Sequence, residues 1–143
     1  MSGKILIVDD ELDILDLLEM IIAEKTPHQV VTTNNSLEVP RLLQGESFDL
    51  LITDLRMPGL SGIDLIREAQ KYCPDMPVIV ITAYGSSQSA EASIAEGAYD
   101  YITKPFRKDQ IIITINRAME WYAMKKELAA LKAQKDPNLS LSE

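Results

Sequence analysis

The sequence predicts an α/β fold, a doubly wound five-stranded parallel sheet with an extended C-terminal helix. Three observations predict it. Five short apolar runs alternate with five helical segments, the pattern of a parallel sheet covered on both faces. The run Val78 to Thr82 is continuous and β-branched, as a strand buried on both faces must be. The residues with reactive side chains fall at the ends of these runs, and open parallel sheets bind ligands beyond the carboxyl ends of their strands. The order of the strands cannot be read from this pattern.

The elements follow in sequence. Lys4 to Val8 is the first strand, and the acidic run Asp9-Asp10-Glu11 follows it at once. Ile14, Leu17, Leu18, Ile21 and Ile22 recur at helical spacing, and Thr26-Pro27-His28 breaks that helix. Gln29 to Thr33 is the second strand. Ser36 is placed to cap a second helix through Gln44, ended by Gly45. Pro40 lies inside it and removes a backbone donor, so this helix is expected to be short or to start late. Asp49 to Thr53 is the third strand, closed by the turn at Pro58-Gly59. Ile63, Leu65, Ile66 and Ala69 mark the third helix. The fourth strand leads to a weak small-residue helix, Ser86 to Ala95, stopped by Gly97. Tyr99 to Thr103 is the fifth strand. The last helix begins near Arg107 and is expected to run to about Gln134.

Composition narrows the function classes. A chain of 143 residues, 46% hydrophobic, fits one domain with a real core. The net charge of -8 and the absence of a basic patch argue against direct nucleic-acid binding. The single cysteine, Cys73, cannot form an internal disulfide, which is consistent with a reducing cytosol. No signal-peptide layout is present, and no apolar run approaches the roughly 20 residues that cross a bilayer. A cytoplasmic protein is expected.

Asp9-Asp10, Asp54, Thr82 and Lys104 stand at the carboxyl ends of strands one, three, four and five. Each alone has a structural reading: a helix cap for Asp9-Asp10, a turn former for Asp54, a strand residue for Thr82, a solvated charge for Lys104. Together, on one edge of a parallel sheet, they suggest chemistry. Three converging carboxylates repel and call for a cation, and oxygen donors suit magnesium. Asp54 is then a candidate nucleophile toward phosphorus, with Thr82 and Lys104 on the phosphoryl oxygens.

These residues, with Met57-Pro58-Gly59, Thr82-Ala83 and Lys104-Pro105, resemble the receiver domain of two-component response regulators. The likeness covers residues 4 to about 118. It implies the flavodoxin-like strand order 2-1-3-4-5. It implies that Asp54 accepts a phosphoryl group from a sensor histidine kinase. Asp9, Asp10, Asp54 and the backbone carbonyl of Arg56 are then the magnesium ligands, and Thr82 and Lys104 bind phosphoryl oxygens. It also implies a cis Lys104-Pro105 peptide, and a switch in which Thr82 moves and Tyr101 fills the vacated space, reshaping the face of helix four, strand five and helix five. Arg56 and Tyr84 occupy positions that tune the lifetime of the phosphorylated form. His28 is read as a surface loop residue, so this chain is not the histidine donor.

Beyond the receiver, 1–118, a helical linker is expected over 119–135 and a polar tail over 136–143, after a stop at Asp136-Pro137-Asn138. Trp121 and Leu128, and Met124 and Leu131, form a heptad seam. Glu120 and Glu127 each stand five residues before a lysine, Lys125 and Lys132, as interchain pairs of a parallel homodimer require. An amphipathic helix lying on its own domain is the alternative. The run from Asp54 to Gly62, with Ile81 to Gly85, resembles receivers of nitrogen-regulation and dicarboxylate-transport regulators, which are sigma-54-dependent. No phosphate loop or basic recognition helix is present, so any output domain lies elsewhere.

The reading is therefore a phosphorylation-controlled switch, not an enzyme in the usual sense. Two other classes compete: a receiver-like interaction module that is never phosphorylated, and an aspartyl-nucleophile phosphatase. The latter needs a general acid two residues after its nucleophile, where this chain has Arg56. Dinucleotide binding fails at Asp9-Asp10-Glu11, which is not glycine-rich and repels a pyrophosphate.

Overall fold

Side chains alternate across the central strands and divide the core into two layers. Ile5, Ile7, Leu50, Ile52, Ile79 and Ile81 point to one face, and Leu6, Val8, Leu51, Val78 and Val80 to the other. The computed structural model describes residues 2–83 and 87–141, with their side chains except at 87 and 134–141. The strands are β1 (Lys4–Val8), β2 (Gln29–Thr33), β3 (Leu50–Thr53), β4 (Val78–Thr82) and β5 (Asp100–Thr103). All pairs are parallel, in the order β2-β1-β3-β4-β5. The helices are α1 (Leu12–Lys25), α2 (Val39–Gly45), α3 (Gly62–Tyr72), α4 (Ser87–Glu96) and α5 (Lys108–Leu141). Helices α1 and α5 cover the isoleucine face, and α2 and α3 the other.

Local departures from the sequence reading have physical causes. In α1 the buried positions are Leu15, Leu18, Ile21 and Ile22, while Leu17 is exposed. Leu17 lies one residue from the buried stripe, at the edge of the face that packs on the sheet. Ser36 does not cap a helix that starts there. Asn35 caps a short 3-10 turn, Ser36–Glu38, by accepting the Leu37 amide, and α2 begins only at Val39 with Pro40 in its first turn. Helix α5 continues to Leu141, through the predicted stop at 136–138. A proline removes its own amide donor, and the helix carries past that missing rung.

His28 is half-buried and is not a loose surface residue. It lies in the loop just before β2, at the opposite end of the sheet from Asp54. Its Nδ1 accepts the Gly3 amide at 3.0 Å, so the ring is neutral at that nitrogen. Burial, the largest cause, pushes its pKa below 6.5, while a hydrogen bond with Asn116 and the charge of Asp49 oppose the shift. The unfolded chain therefore takes up this proton first. Stability from His28 is complete above the unfolded value and is lost as pH falls below about 6.5 toward the folded value. Urea unfolding of wild type and His28→Asn, compared at neutral and mildly acidic pH, should show the steeper loss in wild type. Asparagine keeps an acceptor and does not titrate, so equal slopes would remove His28 as the cause.

Candidate functional site

Register brings the reactive residues together. Val8 pairs with Thr33 and Thr53, so Asp9 and Asp54 emerge side by side from adjacent strands. The Asp54 amide donates to the Val8 carbonyl at 3.2 Å and extends that ladder by one rung. On the other side Thr82 pairs with Thr103, and the Lys104 amide donates to the Thr82 carbonyl at 2.8 Å. The Lys104-Pro105 peptide is cis. All these groups stand at the carboxyl rim of the sheet.

Asp9 and Asp54 are both buried, 2% and 5% exposed, and their hydrogen bonding is matched. One oxygen of each accepts a backbone amide: Glu11 to Asp9 Oδ1 at 2.9 Å, and Leu55 to Asp54 Oδ1 at 2.6 Å. The other oxygen of each accepts from Lys104 Nζ, at 3.0 Å for Asp9 and 3.1 Å for Asp54. Burial is the largest influence on Asp9 and raises its carboxyl above the ordinary range, against the Glu11 amide and Lys104. Burial also works against the Lys104 ammonium, but the bonds and charges of Asp9 and Asp54 outweigh it and raise its pKa. Thr82 is fully buried at the end of β4.

Asp10 and Glu11 are exposed and complete the cluster. Asp9, Asp10, Glu11 and Asp54 each offer a carboxylate oxygen within 4.8 Å of the others. Glu11 also stands 3.7 Å from Lys104. Glu11 completes the acidic run after β1, and its part in this cluster emerges only in the structure. Hard oxygen donors, gathered around one ammonium already shared by two of them, fit a divalent cation such as magnesium. Asp9, Asp10 and Asp54 would hold it from their side chains, and Glu11 stands near enough to add charge.

The loop after Asp54 is built for close approach. Gly62 opens α3, and a Cβ there would lie 2.5 Å from the Asp54 carbonyl oxygen. Its amide donates to the Leu55 carbonyl at 2.8 Å. Ser61 and Asp64 form a reciprocal capping box, and the Ser61 bonds lower the Asp64 pKa. Tyr101 is half-buried and packs on the α2–α3 layer. Tyr84 and Gly85 lie outside the described residues.

The linker residues are divided. Trp121 is half-buried, its ring 5.3 Å from that of Tyr99, with the Lys125 ammonium 4.7 Å above it. Lys125 also pairs with Asp75, at 3.3 Å. Met124, Leu128 and Leu131 are exposed, 63%, 53% and 49%.

Residues 5–116 match the model of the response regulator receiver domain. The chain belongs to that family. Receivers are signalling modules of two-component systems, and the acidic rim agrees with the family's use of magnesium. This receiver is 40% identical over 118 residues to the transcriptional regulatory protein GlrR of Escherichia coli K12, covering 82% of this chain and 26% of GlrR. It is 44% identical over 102 residues to the response regulator PilR of Pseudomonas aeruginosa, covering 71% of this chain and 23% of PilR. The chain thus spans about a quarter of the length of these curated relatives. Among solved structures, NtrX from Brucella abortus superposes with a TM-score of 0.85 at 34% identity, covering 92% of this chain and 30% of that one. The beryllofluoride-activated NtrC4 receiver dimer gives 0.78 at 33%, covering 83% and 98%. Among the described residues no helix is long and apolar enough to cross a membrane.

The Lys104 ammonium is shared by two buried carboxylates, and its own side chain is 11% exposed. Removing one partner of a buried pair costs about 3–5 kcal/mol, because the charge left behind is uncompensated. Lys104→Met should lose stability of about that size in urea unfolding at neutral pH with a chelator present. Added magnesium should recover part of it, through binding to the folded state alone. An unchanged midpoint in chelator would show that the ammonium does not hold the carboxylates.

Proposed function

We propose that this receiver is a phosphorylation-controlled switch in which Asp54 is the phosphoacceptor and a sensor histidine kinase the donor. The observation that carries this is the shared clamp of Lys104 on Asp9 and Asp54 at one rim, beside buried Thr82. In the transfer an Asp54 carboxylate oxygen forms a bond to phosphorus. The phosphorus–nitrogen bond of the donor's phosphoimidazole breaks, and its electron pair returns to the ring. Asp9, Asp10, Asp54 and the Arg56 carbonyl would hold magnesium, which when bound would supply positive charge for the phosphoryl oxygens. The Leu55 amide and Lys104 orient the attacking carboxylate. Lys104 can then follow the new phosphoryl oxygens as a point charge while keeping Asp9.

Thr82 and Tyr101 form the switch in this reading. Thr82 turns its hydroxyl to the phosphoryl group, Tyr101 moves inward, and the α4–β5–α5 face changes. The output is an altered association of two copies. Met124, Leu128 and Leu131 supply an exposed apolar stripe on α5, with Trp121 at its base against the receiver. Asp75 occupies Lys125, so Glu127 and Lys132 are the pair left to cross between helices. The likeness to GlrR, PilR and the NtrC4 receiver dimer supports a sigma-54-dependent transcription regulator as the whole protein, its output domain outside this chain.

Intact-mass measurement after incubation with magnesium and acetyl phosphate should show one added phosphoryl group. The addition should vanish with chelator and in Asp54→Asn. No adduct, or one that persists in Asp54→Asn, would defeat the assignment. Sedimentation with and without beryllofluoride should find a dimer in at least one state. Leu128→Glu should convert that state to monomer without preventing adduct formation.

A further inference from the structure

Ser36 lies far from Asp54 in sequence and carries no charge, yet it holds the loop beside the acidic rim. Its side chain is buried, 2% exposed, at the start of the 3-10 turn after β2. The hydroxyl donates to the Pro58 carbonyl and accepts the Leu60 amide, both at 2.8 Å. One oxygen therefore closes both sides of Gly59, whose φ of +84° places it in the left-handed region. A Cβ at Gly59 would stand 2.9 Å from the Ser36 oxygen, so the turn and the hydroxyl are fitted to each other. The hydroxyl is itself fixed from behind. Asn35 caps the turn through the Leu37 amide at 3.1 Å, and the Glu38 amide donates to the Asn35 carbonyl at 3.1 Å.

The consequence falls on the peptide of Arg56. Upstream, Leu55 is held by its amide on Asp54 and by its carbonyl on the Gly62 amide. Downstream, Pro58 is held by Ser36. Only Arg56 and Met57 lie between these two fixed points, which limits how far the Arg56 peptide can turn. We infer that Ser36 is a positioning residue for the divalent-cation site, acting by aiming the Arg56 carbonyl at it. This rests on the reading above, in which that carbonyl is a magnesium ligand. Groups hydrogen-bonded directly to a metal ligand commonly change affinity by about 10–100-fold when removed, and Ser36, which acts through Pro58, is placed at the low end of that range.

The test is magnesium binding by calorimetry on the full chain, for wild type, Ser36→Ala and Ser36→Thr, with hydrogen exchange of the Leu60 amide. Ser36→Ala should bind magnesium about tenfold more weakly and exchange Leu60 faster. Its labelling by acetyl phosphate should approach the wild-type rate at saturating magnesium. Ser36→Thr keeps the hydroxyl and should restore affinity. A folded Ser36→Ala with wild-type magnesium affinity overturns the inference and leaves Asp54 phosphorylation standing. A wild-type chain that binds neither magnesium nor beryllofluoride overturns the underlying reading, and the inference with it. If Ser36→Ala does not fold, Gly59→Ala decides. It strains the same tie from the exposed side, and loss of affinity supports the role while unchanged affinity refutes it.

Discussion

The structure depends on one ammonium placed between two buried carboxylates. Asp9 and Asp54 emerge from neighbouring parallel strands, so the sheet itself forces them together. Two carboxylates so placed repel unless a positive charge lies between them. Lys104 supplies it from β5, two strands beyond β3, and the backbone amides of Glu11 and Leu55 satisfy the remaining oxygens. Any one of these charges left without its partners would be costly. Four carboxylates around one ammonium still leave three formal negative charges at the rim. That surplus is what a divalent cation answers, and an exposed Asp10 gives it access.

Rigidity around this clamp comes from small residues. Gly62 lets α3 begin against the Asp54 and Leu55 backbone, where a Cβ would collide. Gly59 lets the loop turn over Ser36. The capping box of Ser61 and Asp64 then fixes where α3 starts. The loop after the phosphoacceptor candidate is thus held at its first residue, its turn and its last residue. A carboxylate that must meet an incoming group in one geometry needs support of this kind.

Much of this was legible beforehand. The bounds of β1, β2 and β4 are legible: β1 is an apolar run that stops at Asp9, β4 is β-branched and buried throughout, and β2 follows the helix break at Thr26-Pro27-His28. The placement of Asp9, Asp54, Thr82 and Lys104 on one rim follows once the strands are parallel. Strand order does not follow from pattern, since the apolar runs of β1, β3 and β4 state no neighbour; it comes from the family likeness. Ser36 was misread because a serine before a helical segment has a local role as a cap. Its actual partners, Pro58 and Leu60, are distant in sequence. Glu11 was present in the acidic run, but its approach to Lys104 depends on how the chain leaves β1. Leu17 and Leu15 differ by half a turn of α1, a distinction that periodicity blurs when leucines are frequent.

Helix α5 begins beside this rim and runs on past the matched receiver residues, and its successive turns answer to different neighbours. Ile111, Ile115, Ala118 and Met119 are buried in the core, so the first turns belong to the domain. Past Met119 the contacts turn aromatic and ionic. Trp121 meets Tyr99, and Lys126 pairs with Asp49 at 3.0 Å while lying 4.5 Å over Tyr122. Leu128 and Leu131 face solvent. Strand β5 leads from beside Tyr99, in contact with Trp121, to Lys104, in contact with Asp54. One short strand therefore touches both the carboxylate clamp and the base of the exposed helix.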